Sequence, residues 1–181
     1  MLAAVAIQQM AEALHLRQHL PGAILELGVA AGDVINQLAR CAPQRQAILL
    51  DTFAGLPERS REDGESDQLA RGRFCFSLAT VANVVDSLER VVIVKGEFPQ
   101  SVAGWQLPAL VLVHVDADLY APTRAAIAIL WPLVVPGGIM FFDDVGNLVA
   151  PGVRQAIEEA GIALTYGPDL HPFIVKASNG I

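Results

Sequence analysis

AILELGVAAGDVINQLARCAPQRQAILLDTF, residues 23–53, decides the fold. It opens on a short apolar run at 23–29, punctuated by Pro21-Gly22 on one side and by glycines on the other, which is the pattern of a fully buried strand. A helical stretch over about 33–42 follows, and residues 47–53 repeat the strand signal. Strand, helix and strand in this spacing predict a parallel βαβ unit with a right-handed crossover.

The same alternation continues towards the C-terminus. A helical pattern over 76–88 precedes the β-branched run 91–94, and residues 109–115 (ALVLVHV) form another wholly apolar strand. A helix is expected over 122–133 with Pro122 near its first turn, then a strand at 139–142 entered through Pro136-Gly137-Gly138, and a last helix over 153–160. Two short strands, 163–166 and 173–177, are spaced for an antiparallel pair across 167–172. The fold class is α/β, an open doubly wound sheet with helices on both faces. Its domain organisation is an N-terminal amphipathic helix within 1–22 followed by one α/β domain over 23–181.

Composition narrows the function. The chain of 181 residues has 12 Lys plus Arg against 19 Asp plus Glu, a net charge of −7. With pI about 4.9 and no basic cluster, nucleic acid and anionic membrane surfaces are not expected as partners. The greasiest stretch, 125–142, is broken by Pro132, Pro136, Gly137 and Gly138, so no transmembrane span is expected. Residues 1–19 lack a basic leader and carry Gln8 and Gln9 centrally, which makes a poor signal peptide. Cys41 and Cys75 sit in no metal-type spacing, and the chain is expected to be reduced and cytoplasmic. A homodimer is left open.

In a doubly wound sheet, ligands collect at the carboxyl ends of the strands, where the strand order switches. The first such end is Glu26-Leu-Gly28-Val29-Ala-Ala-Gly32. Its glycines allow a tight turn and close approach to a ligand, but a dinucleotide fingerprint needs a middle glycine and Ala30 stands there. An acid two residues before the first glycine suits a ligand with an amino group better than one with a pyrophosphate, which it would repel. The second strand ends in Asp51, 23 residues beyond Gly28, where an acid can accept both hydroxyls of a ribose or serve as a turn residue. Glu97, after the third strand, meets an adenine amine or caps a turn.

The strongest chemical signal is a pair of acidic ends, Asp116-Ala-Asp118 and Asp143-Asp144, each directly after an apolar strand. Neighbouring strands lie about 4.8 Å apart, so four carboxylates would share one small site. They cannot all stay ionised without protons or a cation, and a hard divalent ion such as magnesium is the economical counter-charge. Strand parity puts His114, Asp116 and Asp118 on one side; His114, inside an apolar run, is expected to pack rather than to ligate. Residues 57–73 (PERSREDGESDQLARGR) lack any period and are expected as a solvated loop, with closure over a ligand as the functional alternative.

Taken together, LELGVAAGDV, LDTFAGLP, KGEFPQS, HVDADLYAPT, PGGIMFFDD and PGVRQAIEEA, in this order over 24–160, resemble the macrocin O-methyltransferase family. The resemblance implies a class I methyltransferase sheet, Rossmann-like, mostly parallel and seven-stranded with an antiparallel last strand. It implies S-adenosylmethionine as methyl donor, with Glu26, Gly28, Val29, Gly32, Asp51, Thr52 and Glu97 as the expected cofactor-binding residues. Asp116, Asp143 and Asp144 would hold magnesium, Asp118 would be the general base, and the acceptor would be a hydroxyl of a sugar or glycosylated natural product. Catechol O-methyltransferases are similar, but their base is a lysine three residues after the first metal acid, where this chain has Leu119. Two further readings stay open: a glycosyltransferase using the D-x-D at 116–118, and a cofactor-binding protein without turnover.

Overall fold

A computed structural model describes residues 4–85, 89–167 and 171–177. Seven strands form one sheet: β1 (Ala23–Leu27), β2 (Ala47–Asp51), β3 (Val91–Lys95), β4 (Leu110–Val115), β5 (Val134–Phe142), β6 (Thr165–Tyr166) and β7 (Pro172–Val175). Their order is β3-β2-β1-β4-β5-β7-β6. The pairs from β3 to β5 are parallel, and β7 runs antiparallel to both β5 and β6. Among the described residues five α-helices cover the faces: α1 (Ala4–Leu16), α2 (Asp33–Cys41), α3 (Leu78–Val85), α4 (Tyr120–Leu130) and α5 (Pro151–Glu159). The doubly wound α/β sheet expected from the sequence is therefore present, antiparallel closing strand included.

Side-chain alternation builds two cores. On β1 and β2, Leu25, Leu27, Ile48 and Leu50 face one layer with Leu119, Ala126 and Val153, while Ile24, Ala47 and Leu49 face the other with Met10, Ile35 and Leu38. Each large apolar side chain so buried contributes about 1.5–3 kcal/mol, which is why β1 and β4 are buried along their whole length. The N-terminal helix belongs to this packing, since Ile7, Met10 and Leu14 of α1 lie in the second core. Below it Arg45 donates to the carbonyls of Arg17, Gln18, Leu20 and Gly22, joining the end of that helix to the entrance of β1.

Three elements differ from the sequence expectation. The fifth strand begins at Val134 rather than 139 and carries the Pro-Gly-Gly inside it. Its register to β4 shifts between Leu110 and Leu112, and Gly137 has φ +81, so this is an irregular strand and not a loop before one. The third helix covers 78–85; the expected positions 86–88 lie outside the described residues. The charged segment 57–73 is not simply solvated, because it contains two short 3-10 turns (Arg61–Asp63 and Asp67–Leu69) and buries Asp63 and Leu69.

Gly28, at φ +84, ends β1 against the next strand's turn: a Cβ there would fall on the carbonyl oxygen of Asp116. Gly28→Ala is expected to lower stability by roughly 2–4 kcal/mol, the sum of a strained backbone and an overpacked contact. Urea denaturation measures it, and an unchanged midpoint would mean that the two turns can separate freely.

Candidate active site

The register of β1, β4 and β5 sets the site. Glu26, His114 and Phe141 are opposite one another, and Leu27, Val115 and Phe142 form the next row. One residue later the ladder bonds still hold: Asp116 N–H donates to Leu27 O at 2.8 Å and Asp143 N–H to Val115 O at 2.9 Å. The two acidic ends are thus neighbours at one level of the sheet. Strand parity, however, stops at Val115. Leu119 N–H turns back onto Ala117 O at 2.6 Å, and Asp118 takes a left-handed backbone with φ +56. That turn, not alternation along a strand, carries Asp118 back beside Asp116.

Among the described residues, carboxylate oxygens of Asp116, Asp118 and Asp144 lie within 4.8 Å of one another. All three are partly buried. Asp143, expected as the third ligand, instead accepts the N–H of Asp144 on Oδ1 at 2.9 Å, and Asp118 takes its place in the convergent set. Asp144, at φ +59, also accepts from Asn147 Nδ2 at 2.9 Å. Burial first, and then the neighbouring carboxylates, with that of Asp143 foremost, hold the Asp116 carboxyl well above the usual range. The same burial and the contact with Asp144 push Asp118 up to about 8. Without a cation Asp116 and Asp118 hold their protons more tightly than ordinary aspartates. Hard oxygen donors this close fit a magnesium-type ion in chemistry and in number.

The expected cofactor residues fall into three groups. Gly28, Val29 and Gly32 form the turn from β1 into α2, with Gly32 at the helix N-cap. Asp51 reaches across from β2 and holds that turn, accepting Val29 N–H at 2.7 Å and Ala30 N–H at 3.2 Å on Oδ2, while Oδ1 accepts Phe53 N–H at 2.7 Å. A carboxylate has about four acceptor positions, so with three filled Asp51 keeps one, on Oδ1, for a further donor. Thr52 closes the following bend, donating to Gly55 O at 2.6 Å. Glu97 is exposed beyond β3, whose end is joined to β2 by Gly96 N–H on Asp51 O.

Glu26 lies elsewhere. It is 1% exposed, its Oε2 accepts Ile35 N–H of α2 at 3.1 Å, and its Oε1 is 3.0 Å from His114 Nδ1. Burial raises its carboxyl well above the usual range and lowers His114 to about 4, so the two make a neutral hydrogen-bonded pair. His114 packs, as its apolar setting implied. The contacts of Glu26 are internal: it fixes the first turn of α2, and hence the glycine turn, from below.

Sequence reasoning passed over Asp63. This residue is 1% exposed and accepts the N–H and the hydroxyl of Ser60 on Oδ2, both at 2.8 Å, and Tyr120 N–H on Oδ1 at 2.6 Å. The legible signal was Ser60-x-x-Asp63, a capping-box spacing within the charged segment.

Such a sheet, with a glycine turn after β1 and acids after β2, β4 and β5, defines a class I methyltransferase fold. The known structures agree. The calicheamicin methyltransferase CalS11 superposes with a TM-score of 0.81 at 24% identity, covering 94% of this chain and 78% of that one. The O-methyltransferase NovP gives 0.76 at 24% identity, with 94% and 78% covered. An O-methyltransferase from Bacillus cereus, solved in complex with SAH, gives 0.62 at 18% identity, with 97% and 81% covered. A sequence relative, demethyldecarbamoylnovobiocin O-methyltransferase of Streptomyces niveus, is 26% identical over 155 residues, 78% of this chain; the chain spans 58% of that relative's length. The family model for macrocin O-methyltransferase (TylF) matches residues 1–161, and the chain belongs to that family. No helix among the described residues is long and apolar enough to cross a membrane.

The crowded acids predict a pH effect on stability. Asp118 is about 8 in the fold against 3.8 for an ordinary aspartate, so the folded chain holds the proton more tightly. Its contribution is complete below the ordinary value and is lost as pH rises through about 8. In chelator-treated protein, Asp118→Asn should therefore melt above wild type, with the gap widening as pH rises towards about 8. Thermal melts across that range decide; a gap independent of pH would mean that neither burial nor the neighbouring carboxylates hold a proton on Asp118.

Proposed function

We propose that the protein is an S-adenosylmethionine-dependent, magnesium-assisted O-methyltransferase that acts on a hydroxyl of a small molecule, a sugar or glycosylated natural product. The observation that carries this reading is the convergence of Asp116, Asp118 and Asp144 one strand away from the glycine turn that Asp51 holds. Membership of the macrocin O-methyltransferase family supports it, as does the relative named for a novobiocin precursor. The D-x-D at 116–118 has no need of a glycosyltransferase reading in a family of methyltransferases.

In this reading Asp116 and Asp144 hold the metal, Asp143 adds the carboxylate oxygen that Asp144 N–H leaves free, and Asp118, converging on the same acids, accepts the proton of the acceptor hydroxyl. Gly28, Val29, Gly32, Asp51, Thr52 and Glu97 line the methyl donor, and Glu26 sets the glycine turn from inside the sheet. Bound magnesium supplies the positive charge that replaces the protons held on the acids and acidifies the acceptor hydroxyl, and S-adenosylmethionine supplies the methyl group. The chain's own residues do the rest. The glycine turn lets backbone approach the donor closely, and the αL turn at Asp118 brings its carboxylate to the acids of the next strand. An alcohol attacks poorly until it loses its proton, so a carboxylate at the reacting oxygen raises the rate, and holding both reactants in line does much of the remainder.

Two outcomes follow. Asp118→Asn should keep S-adenosylmethionine affinity in calorimetry and lose roughly 10²–10⁴-fold in kcat, as expected for removal of a general base. Methyl transfer from labelled donor to a panel of glycosides should stop in chelator and return with Mg²⁺. Transfer that is indifferent to chelator, or full turnover by the asparagine variant, would sink the respective assignment.

A further inference from the structure

The first turn of α4 has no acceptor of its own. Its N-cap is Leu119, which makes no side-chain bond, yet Tyr120 N–H is buried against a carboxylate 57 residues earlier in the chain, that of Asp63. Helix N-terminal amides ordinarily find a side chain at the cap position, and a carboxylate is favoured there by the helix dipole. Here the cap comes from the segment that leaves β2 beyond Asp51 and Thr52. Three segments meet at this one group. Besides Tyr120 and Ser60, Gly152 in the first turn of α5 lies so close that a Cβ there would strike Asp63 Oδ1 and Tyr120 Cβ.

The position of this bond matters because Tyr120 follows Asp118 by two residues. The turn between them is tight, with Leu119 N–H on Ala117 O and Asp118 in the left-handed region. A non-glycine residue keeps such a conformation only where its surroundings enforce it, at a cost of order 1–3 kcal/mol. The enforcing contacts lie on either side: Asp116 is bonded to β1 through Leu27 O, and Tyr120 to Asp63. Removing the second releases the first amide of α4 and leaves that side of the turn to the packing of Leu119 and to the bonds of Thr123 N–H and Oγ1 to Leu119 O.

We propose that Asp63 is a positioning residue for methyl transfer: by capping α4 from the segment after the donor-binding strand, it fixes the turn that presents Asp118 to the acceptor hydroxyl. The inference rests on the general-base reading given above. It also assigns the charged segment a function other than coverage, since the segment's ordered centre ties the end of β2 to the end of β4.

Kinetics on the full chain with Mg²⁺, labelled S-adenosylmethionine and a glycoside that wild type methylates test it. Asp63→Ala should lower kcat by at least about tenfold, while the KM for S-adenosylmethionine stays within about twofold, since a misplacement of the order of an ångström costs rate rather than donor binding. Asp63→Asn, whose Oδ1 still accepts Tyr120 N–H, should recover most of that kcat although it loses an acceptor for Ser60. In an Asp118→Asn background, Asp63→Ala should cost nothing further, because the two act through one group. A merely structural role would instead lower the melting temperature and leave kcat per folded molecule intact; that result, or an Asp63→Ala loss of kcat that adds to the Asp118→Asn defect, overturns the proposal. Full turnover by Asp118→Asn would overturn the general-base reading itself, whereas full turnover by Asp63→Ala beside a defective Asp118→Asn overturns only the positioning role. Should Asp63→Ala not fold, Gly152→Ala takes its place: its methyl group pushes on the same contact, and an unchanged kcat in that folded variant is equally fatal.

Discussion

The molecule depends on the register of three adjacent parallel strands. Because β1, β4 and β5 are in step at Leu27, Val115 and Phe142, their chains leave the sheet at one height, and whatever follows each strand is brought within reach of the others. Gly28 lets the first turn sit directly on the backbone of Asp116, so the glycine turn and the acidic turn are fixed relative to each other by main-chain contact. A slip of one residue in β4 would move every core side chain to the wrong face and carry Asp116 away from both neighbours. The hydrophobic pattern therefore holds the polar site in place, although no apolar residue takes part in its chemistry.

Several polar groups in the interior find a partner from another element. Glu26 and His114 form a neutral hydrogen-bonded pair beneath the glycine turn, and Glu26 also accepts the Ile35 amide in the first turn of α2. Asp63 does the same for α4 from a distance. An unsatisfied buried donor or acceptor costs about 1–3 kcal/mol, so each of these bonds constrains geometry as well as stability. The four aspartates at the site are the exception. They are left crowded, and burial beside the other carboxylates raises Asp116 and Asp118, which is an unfavourable arrangement for the chain alone and a favourable one for a cation.

Much of the architecture was legible. Short apolar runs bounded by Gly and Pro gave the parallel strands, and the terminal pair indicated the antiparallel closure. What the pattern could not show was conformation at places where it breaks. Pro136-Gly137-Gly138 has the composition of a turn, yet it lies within β5, where Lys176, the residue after β7, accepts Gly137 N–H and donates to Gly138 O. Parity along 114–118 suggested a common direction for His114, Asp116 and Asp118, but the chain leaves the strand after Val115, and His114 bonds inward while Asp118 returns by a left-handed turn.

The sequence by itself determined the sheet, its strand ends, the family and the set of acids available for chemistry, because burial periodicity and short-range turn chemistry are written in neighbouring residues. Only the tertiary structure decided which acids meet. Asp118 rather than Asp143 joins the convergent set, Glu26 turns inward to His114, and Asp63 reaches Tyr120 across 57 residues. Those choices depend on where separate elements dock and on which buried amide lacks an acceptor, and such information exists only once the chain has folded.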